Sequence, residues 1–123
     1  MKRTRVLLAD DHPLILQGLR SLLETECEVV DTVSDGLSLV EAAFRWRPDI
    51  IVSDISMPKL NGIAAAREIR DSLPTTKFIF LTMHGERWYR AEALKAGAAA
   101  YILKTSAREE LSQAVHDVME GPA

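Results

Sequence analysis

The chain contains one cysteine, Cys27, so it closes no internal disulfide and offers no thiolate cluster to a metal. A lone thiol of this kind reads as a small core residue in a reducing compartment. Long hydrophobic runs are also missing. The longest near-apolar stretch, Ala96 to Leu103, has eight residues, against the ~18 needed to span a bilayer. The opening Met1-Lys2-Arg3-Thr4-Arg5 is basic like the start of an export signal, but only Val6 to Ala9 follow before Asp10. The expected location is therefore cytoplasmic, with no membrane attachment. There is no basic excess either: 15 Lys and Arg face 18 Asp and Glu, a net charge of −3. Domains that bind nucleic acid unaided usually carry the opposite imbalance. Internal repeats, low-complexity tracts, a GxGxxG turn and a Walker lysine loop are all absent, which leaves nucleotide binding without a motif.

What is present fits one globular domain of 123 residues, 47% hydrophobic and 27% charged. A chain of this length removes about two-thirds of its extended surface from water, enough for a real core. Short aliphatic runs alternate with helical patterns. Val6–Ala9, Glu28–Val33, Ile50–Val52, Phe78–Leu81 and Ala99–Leu103 read as strands, the second polar enough for a sheet edge. Between them, Ile15, Leu19, Leu22 and Leu23 mark a first helix behind a candidate cap at Asp11-His12-Pro13. Gly36 to Trp46 reads as a second, with Val40, Ala43 and Phe44 on one face and Pro48 ending it. Asn61 caps a third whose inner face is Gly62, Ala66, Ile69 and Leu73. A fourth runs from about Gly85 to Ala96, with Gly97 as a left-handed C-cap. The last follows the capping box Ser106-Ala107-Arg108-Glu109 and ends at Gly121-Pro122. Strict alternation of this kind implies right-handed crossovers and a parallel sheet covered on both faces, an α/β domain.

Such sheets bind ligands at the carboxyl ends of their strands. Asp10 and Asp11 follow the first strand, Asp54 the third, Thr82 the fourth and Lys104 the fifth. Three carboxylates, a hydroxyl and an ammonium should therefore meet on one rim. Two like charges about 4 Å apart repel by roughly 4 kcal/mol at an effective dielectric near 20, so the acids require counter-charge. Lys104 supplies one unit and a divalent cation would supply two. All-oxygen ligands suit a hard ion such as Mg²⁺. An isolated Asp-Asp pair is adequately explained as helix capping; the companions at the other strand ends change that balance.

These residues resemble a known family. Leu8-Ala9-Asp10-Asp11-His12, Asp54-Ile55-Ser56-Met57-Pro58 with Asn61-Gly62, Leu81-Thr82, and Gly97 to Lys104 together look like the receiver domain of a two-component response regulator. Each piece alone is weak, but all four in register are specific. The resemblance covers essentially all of residues 1–123 as a single domain. It implies the flavodoxin-like (βα)5 three-layer fold with strand order 2-1-3-4-5, for which the same family is a standard example. Asp11-His12-Pro13-Leu14 and Leu81-Thr82-Met83-His84 resemble the NarL/FixJ branch, whose receivers usually precede a LuxR-type helix-turn-helix domain. Residues 121–123 fall where a linker to such a domain would begin; a stand-alone receiver is the alternative.

The resemblance implies that Asp54 accepts a phosphoryl group from a phosphohistidine of a sensor kinase or phosphotransfer protein. It implies Mg²⁺, or Mn²⁺ in its place, held by Asp11, Asp54 and the Ser56 carbonyl, with Asp10 acting partly through water. Lys104 and Thr82 would contact phosphoryl oxygens, and Tyr101 would be the aromatic that turns inward as Thr82 moves. Ser56, Met83 and His84 would tune access to the acceptor. The output surface would be the fourth helix, fifth strand and fifth helix, or the first and fifth helices. A homodimer on phosphorylation is plausible from the branch, and DNA would be reached only through the output domain. His12 reads as a solvated loop residue, Trp46 as partly buried, and one of Trp88 and Tyr89 as exposed. The peptide geometry between Lys104 and Thr105, where many relatives have proline, is left open.

Competing readings have specific weaknesses. A haloacid-dehalogenase-type enzyme also uses a strand-end Asp and Mg²⁺, but wants a second Asp where this chain has Ser56. A pseudo-receiver that works without phosphorylation would have little use for an intact set of Asp10, Asp11, Asp54, Thr82 and Lys104.

Overall fold

Aliphatic and aromatic runs form five strands, and the amphipathic segments between them form helices. The structure, a computed structural model, describes residues 3–83 and 87–120. In chain order the elements are β1 (Arg5–Ala9), α1 (Pro13–Leu23), β2 (Glu28–Val33), α2 (Gly36–Trp46), β3 (Ile50–Asp54), α3 (Gly62–Arg70), β4 (Lys77–Thr82), α4 (Arg87–Lys95), β5 (Ala98–Leu103) and α5 (Ala107–Glu120). The strands pair in parallel in the order β2-β1-β3-β4-β5. The polar strand β2 lies at one edge, as expected.

Successive strand residues point to opposite faces, and the core divides accordingly. Leu7, Ala9, Ile51, Phe78 and Phe80 pack with α2, α3 and the small residues Ala93 and Ala96 on one face. Val6, Leu8, Ile50, Val52, Ile79 and Leu81 pack with Leu19 and Leu23 of α1 and Leu111 and Val115 of α5 on the other. Cys27 belongs to the second cluster, and burial raises its thiol above the ordinary value. That is the bland core role expected of it.

Several local expectations need correction. The inner face of α2 is Gly36, Leu39, Ala42 and Ala43, with Val40 half-buried, whereas Phe44 faces outward at 41% exposure. At the start of the helix a Cβ on Gly36 would stand 1.8 Å from the Leu60 carbonyl oxygen. Only glycine permits so close an approach of the Leu60 backbone to the start of α2. In α3 the helix ends at Arg70, and Leu73 is buried just beyond it. The cap of α1 is His12, not Asp11, and it makes no side-chain bond to the helix; Pro13 occupies the first turn, as expected. A single 3-10 turn, Lys104–Ser106, leads directly into α5. No cis peptide occurs among the described residues, so Lys104 and Thr105 join in trans. Gly97 has the positive φ expected of its C-cap role, +100°. Gly85, His84 and the Gly121-Pro122 stop lie outside the described residues, as do the side chains of Trp88 and Tyr89.

Asp35 caps α2, its Oδ1 accepting from the Ser38 N–H at 2.7 Å and its Oδ2 from the Ser38 hydroxyl at 2.9 Å. The Ser38 backbone bond is the main reason its carboxyl sits below the ordinary range, with burial opposing. Asp35→Ala should cost about 1 kcal/mol. A depressed carboxyl adds stability above its unfolded value and loses it as pH falls through the folded value. Urea titrations of both proteins should therefore differ at pH 7 and converge in acid; a gap independent of pH would show that the cap acts otherwise.

Candidate functional site

Strand register places the candidate residues before any side-chain argument is needed. Ala9 pairs with Ser53, Asp54 with Leu81, and Thr82 with Leu103. Asp10, Asp54, Thr82 and Lys104 thus end four adjacent strands at one level. The Asp10 N–H bonds to the Val33 carbonyl at 3.1 Å, which extends that level across β2. Gly62 closes the far side of Asp54: its N–H donates to the Ile55 carbonyl at 2.8 Å, and a Cβ would lie 2.1 Å from the Asp54 carbonyl oxygen. The start of α3 is therefore pressed onto the end of β3. Asn61 caps α3 as expected, accepting from the Ala64 N–H at 2.8 Å.

The side chains converge. Lys104 Nζ lies 3.0 Å from Asp54 Oδ2 and 2.7 Å from Asp10 Oδ2. All three side chains are almost fully buried. The contact with Asp54 is a directed hydrogen bond, whereas Asp10 Oδ2 has no aligned donor, so its contact with Lys104 is one of charge. Asp11 stands at the mouth, one-third exposed. Donor atoms of Asp10, Asp11, His12 and Asp54 lie within 4.8 Å of one another. The carboxylate oxygens gathered there are hard donors of the kind a small divalent cation takes.

The electrostatics follow from burial and crowding. Burial pushes the Asp54 carboxyl above the ordinary range; Lys104 opposes that shift and Asp10 adds to it. Burial alone would pull the Lys104 ammonium down, but its contacts with Asp10 and Asp54 more than reverse this and hold it above the ordinary value. One cation thus serves two interior carboxylates.

Of the other expected residues, Thr82 is buried at the end of β4, and Tyr101 is half-buried against the core face that holds α2, α3 and α4. Ser56 is exposed, and its N–H donates to Asp54 Oδ1 at 3.3 Å. Met83 is 58% exposed. His84 lies outside the described residues. Trp46 is partly exposed, its Nε1 donating to Asp31 Oδ2 at 3.1 Å. The structure also brings in residues that the spacing argument missed. His12 is not merely solvated: its Nδ1 lies 3.0 Å from Asp10 Oδ1 and 3.1 Å from Asp11 Oδ1. Arg67 of α3 reaches Glu92 of α4 at 3.2 Å, and Arg70 donates to the Lys95 carbonyl at 2.8 Å. The motif Asp10-Asp11-His12 could have flagged the imidazole; nothing local flags the helix pairs.

The profile of the response regulator receiver domain matches residues 6–116. The transcriptional regulatory protein YxjL of Bacillus subtilis is 37% identical over 123 residues, covering 98% of this chain and 56% of that protein. The transcriptional regulatory protein DegU of Brevibacillus brevis is likewise 37% identical, covering 98% of this chain and 52% of that protein. The chain therefore spans about half the length of the curated relatives it matches. Among solved structures, a NarL signal receiver domain from Mycobacterium tuberculosis superposes with a TM-score of 0.93 at 31% identity, over 99% of this chain and all of that one.

Proposed function

The chain belongs to the response regulator receiver domains, and on that premise we propose that Asp54 is its phosphoacceptor, within a switch that controls transcription through a DNA-binding domain beyond these residues. The observation that carries the reading is the placement of Lys104 Nζ within 3.0 Å of Asp54 Oδ2 and 2.7 Å of Asp10 Oδ2, at the strand ends where the acids gather.

In the proposed step an Asp54 oxygen attacks the phosphorus of a phosphohistidine on a sensor kinase or phosphotransfer protein. A P–O bond forms, the P–N bond breaks, and the electron pair leaves with the imidazole, which takes a proton. Like charges meet in this reaction, so the protein contributes mainly position and counter-charge. The Lys104 ammonium pairs with one phosphoryl oxygen and the Thr82 hydroxyl bonds another. Asp10, Asp11, Asp54 and the Ser56 carbonyl would hold Mg²⁺, with Mn²⁺ as a substitute. When bound, such an ion neutralises charge on the carboxylates and the phosphoryl group. Each chain is modified once and reset, and turns over no substrate. Ser56, Met83 and His84 are assigned the role of setting how readily water or small donors reach Asp54.

Phosphorylation adds about −1.5 to −2 charges and new acceptor oxygens. Thr82 moves toward them and Tyr101 follows inward, which re-forms the surface beside α4 and β5. A change from 1:99 to 99:1 requires about 5.5 kcal/mol of preference for the active state. Dimerisation of the modified form is part of this reading. Among the described residues no helix is long and apolar enough to cross a membrane, in keeping with a cytoplasmic partner.

The test is incubation with acetyl phosphate and Mg²⁺, followed by intact mass. The wild type should gain one phosphate and Asp54→Ala none. A wild type that stays unmodified by acetyl phosphate and by a phosphorylated kinase domain would favour the pseudo-receiver.

A further inference from the structure

Two non-glycine residues among those described have a left-handed backbone. Arg47, at φ +45°, ends α2, where such a conformation is ordinary. Lys59, at φ +70°, lies in the loop that leads from Asp54 into α3. The chain has a reason to bend there. Met57 and Leu60 both pack against the apolar cluster that holds α2 and α3. Only Pro58 and Lys59 join them, and the proline ring fixes its own φ at about −65°. The reversal therefore falls on Lys59. The Leu60 N–H returns to the Pro58 carbonyl at 2.7 Å, closing a three-residue turn of the strained kind. Such strain persists only where the surrounding structure imposes it, and here that structure is the start of α2. The Gly36 N–H donates to the same Pro58 carbonyl at 3.3 Å, and the missing Gly36 Cβ leaves room for the Leu60 backbone. The Lys59 side chain contributes little: it is 63% exposed, and its Nζ stands 3.9 Å from Asp35 Oδ2.

We propose that Lys59 is a positioning residue for the Asp54 site: its left-handed backbone, held by Gly36, fixes the direction of the Ser56 carbonyl. The inference rests on the reading above, in which that carbonyl helps to hold Mg²⁺. Ser56 stands between two fixed points. Its N–H donates to Asp54 Oδ1 at 3.3 Å, and Met57 follows it onto the core. If residue 59 leaves the left-handed region, the chain must give on one side of the turn. Leu60 cannot yield, because its backbone abuts Gly36 and Asn61 caps α3 directly behind it. The displacement passes back through the rigid Pro58 to Met57 and Ser56, and turns the carbonyl away from the acids.

Lys59→Gly and Lys59→Val separate the backbone from the side chain. Both remove the ammonium, but glycine accepts φ +70° and a β-branched residue resists it. Mg²⁺ affinity is read by calorimetry, and exchange of the Gly36 amide by NMR without metal, well below the melting midpoints. Lys59→Gly should stay within about two-fold of wild type in Mg²⁺ affinity. Lys59→Val should bind Mg²⁺ about ten-fold more weakly, the usual scale for losing a support behind a ligand. Its metal-free Gly36 amide should also exchange faster. Linkage supplies a check on the unaltered chain: Mg²⁺ should slow exchange at Gly36 by a similar factor, beyond any slowing at Leu39 in the same helix. Equal Mg²⁺ affinity in Lys59→Gly and Lys59→Val, whatever their melting midpoints, would make the turn merely structural and overturn the inference. So would a Gly36 amide indifferent to Mg²⁺ in the wild type, which decides the matter if Lys59→Val does not fold. A wild type that binds no Mg²⁺ would overturn the reading of the pocket itself, and the inference with it.

Discussion

Lys104→Gln is expected to destabilise the chain by about 3 kcal/mol at neutral pH, the usual scale for removing one partner of a buried charge cluster. Lys104 Nζ touches both Asp10 Oδ2 and Asp54 Oδ2, and all three side chains are nearly closed to solvent. Without it, two interior carboxylates face each other across a few ångströms. The lysine's raised value means that its contribution is complete through the neutral range and is lost only as pH rises through that value. The variant should therefore differ from wild type across the neutral range. On acidification it should regain part of the loss, because one of the two facing acids takes up a proton. Phosphoryl incorporation should fall about 100-fold, as when one aimed electrostatic donor is removed from a transition state. Denaturant titration at pH 7 and pH 5, with a rate of acetyl phosphate incorporation, reads both effects. A Lys104→Gln protein with unchanged stability and rate would mean that the ammonium is a bystander.

Asp54→Asn should do the opposite to stability, raising it by about 0.5–2 kcal/mol at pH 7, the usual yield of relieving a functional compromise. For a chain of this length that is a few degrees in melting midpoint. Burial, with Asp10 adding, holds the Asp54 carboxyl above its ordinary range. A raised carboxyl favours the folded state fully below the unfolded value and loses that advantage as pH rises through the folded one. At neutral pH the charged Asp54 thus opposes folding, and the amide removes that opposition. The difference should shrink in acid, as pH falls through the raised value of Asp54 and the wild-type carboxyl takes up a proton. Mg²⁺ should also narrow it, because ligand binding stabilises the wild type by mass action. Thermal melts at pH 7 and through the acid range, with and without Mg²⁺, measure this. An Asp54→Asn protein less stable than wild type at pH 7 would mean that Asp54 is a structural support rather than a strained acceptor.

Most of this site was legible in the chain because its members sit at strand ends. A strand-helix alternation with five aliphatic runs aligns Asp10, Asp54, Thr82 and Lys104 at one edge of the sheet, and the observed register does so. What escaped reading depends on contacts between loops and helices far apart in sequence. Gly36 looked like an ordinary helix start, but its missing Cβ admits the Leu60 carbonyl. Phe44 faces water although the apolar spacing groups it with Val40 and Ala43. His12 looked like a loop residue because exposure says nothing of where a ring nitrogen points. The ties from Arg67 to Glu92 and from Arg70 to Lys95 join α3 to α4 by side chains whose partners lie 25 residues away. No local pattern announces such pairs.

Reduction with borohydride turns an acyl phosphate on aspartate into homoserine and leaves free carboxylates untouched. Peptide mapping of the acetyl phosphate-treated, Mg²⁺-loaded chain after this reduction therefore locates the acceptor. Homoserine is predicted at position 54 and nowhere else. Homoserine at 10 or 11, or none at any position in a chain that has gained a phosphate, would contradict the account.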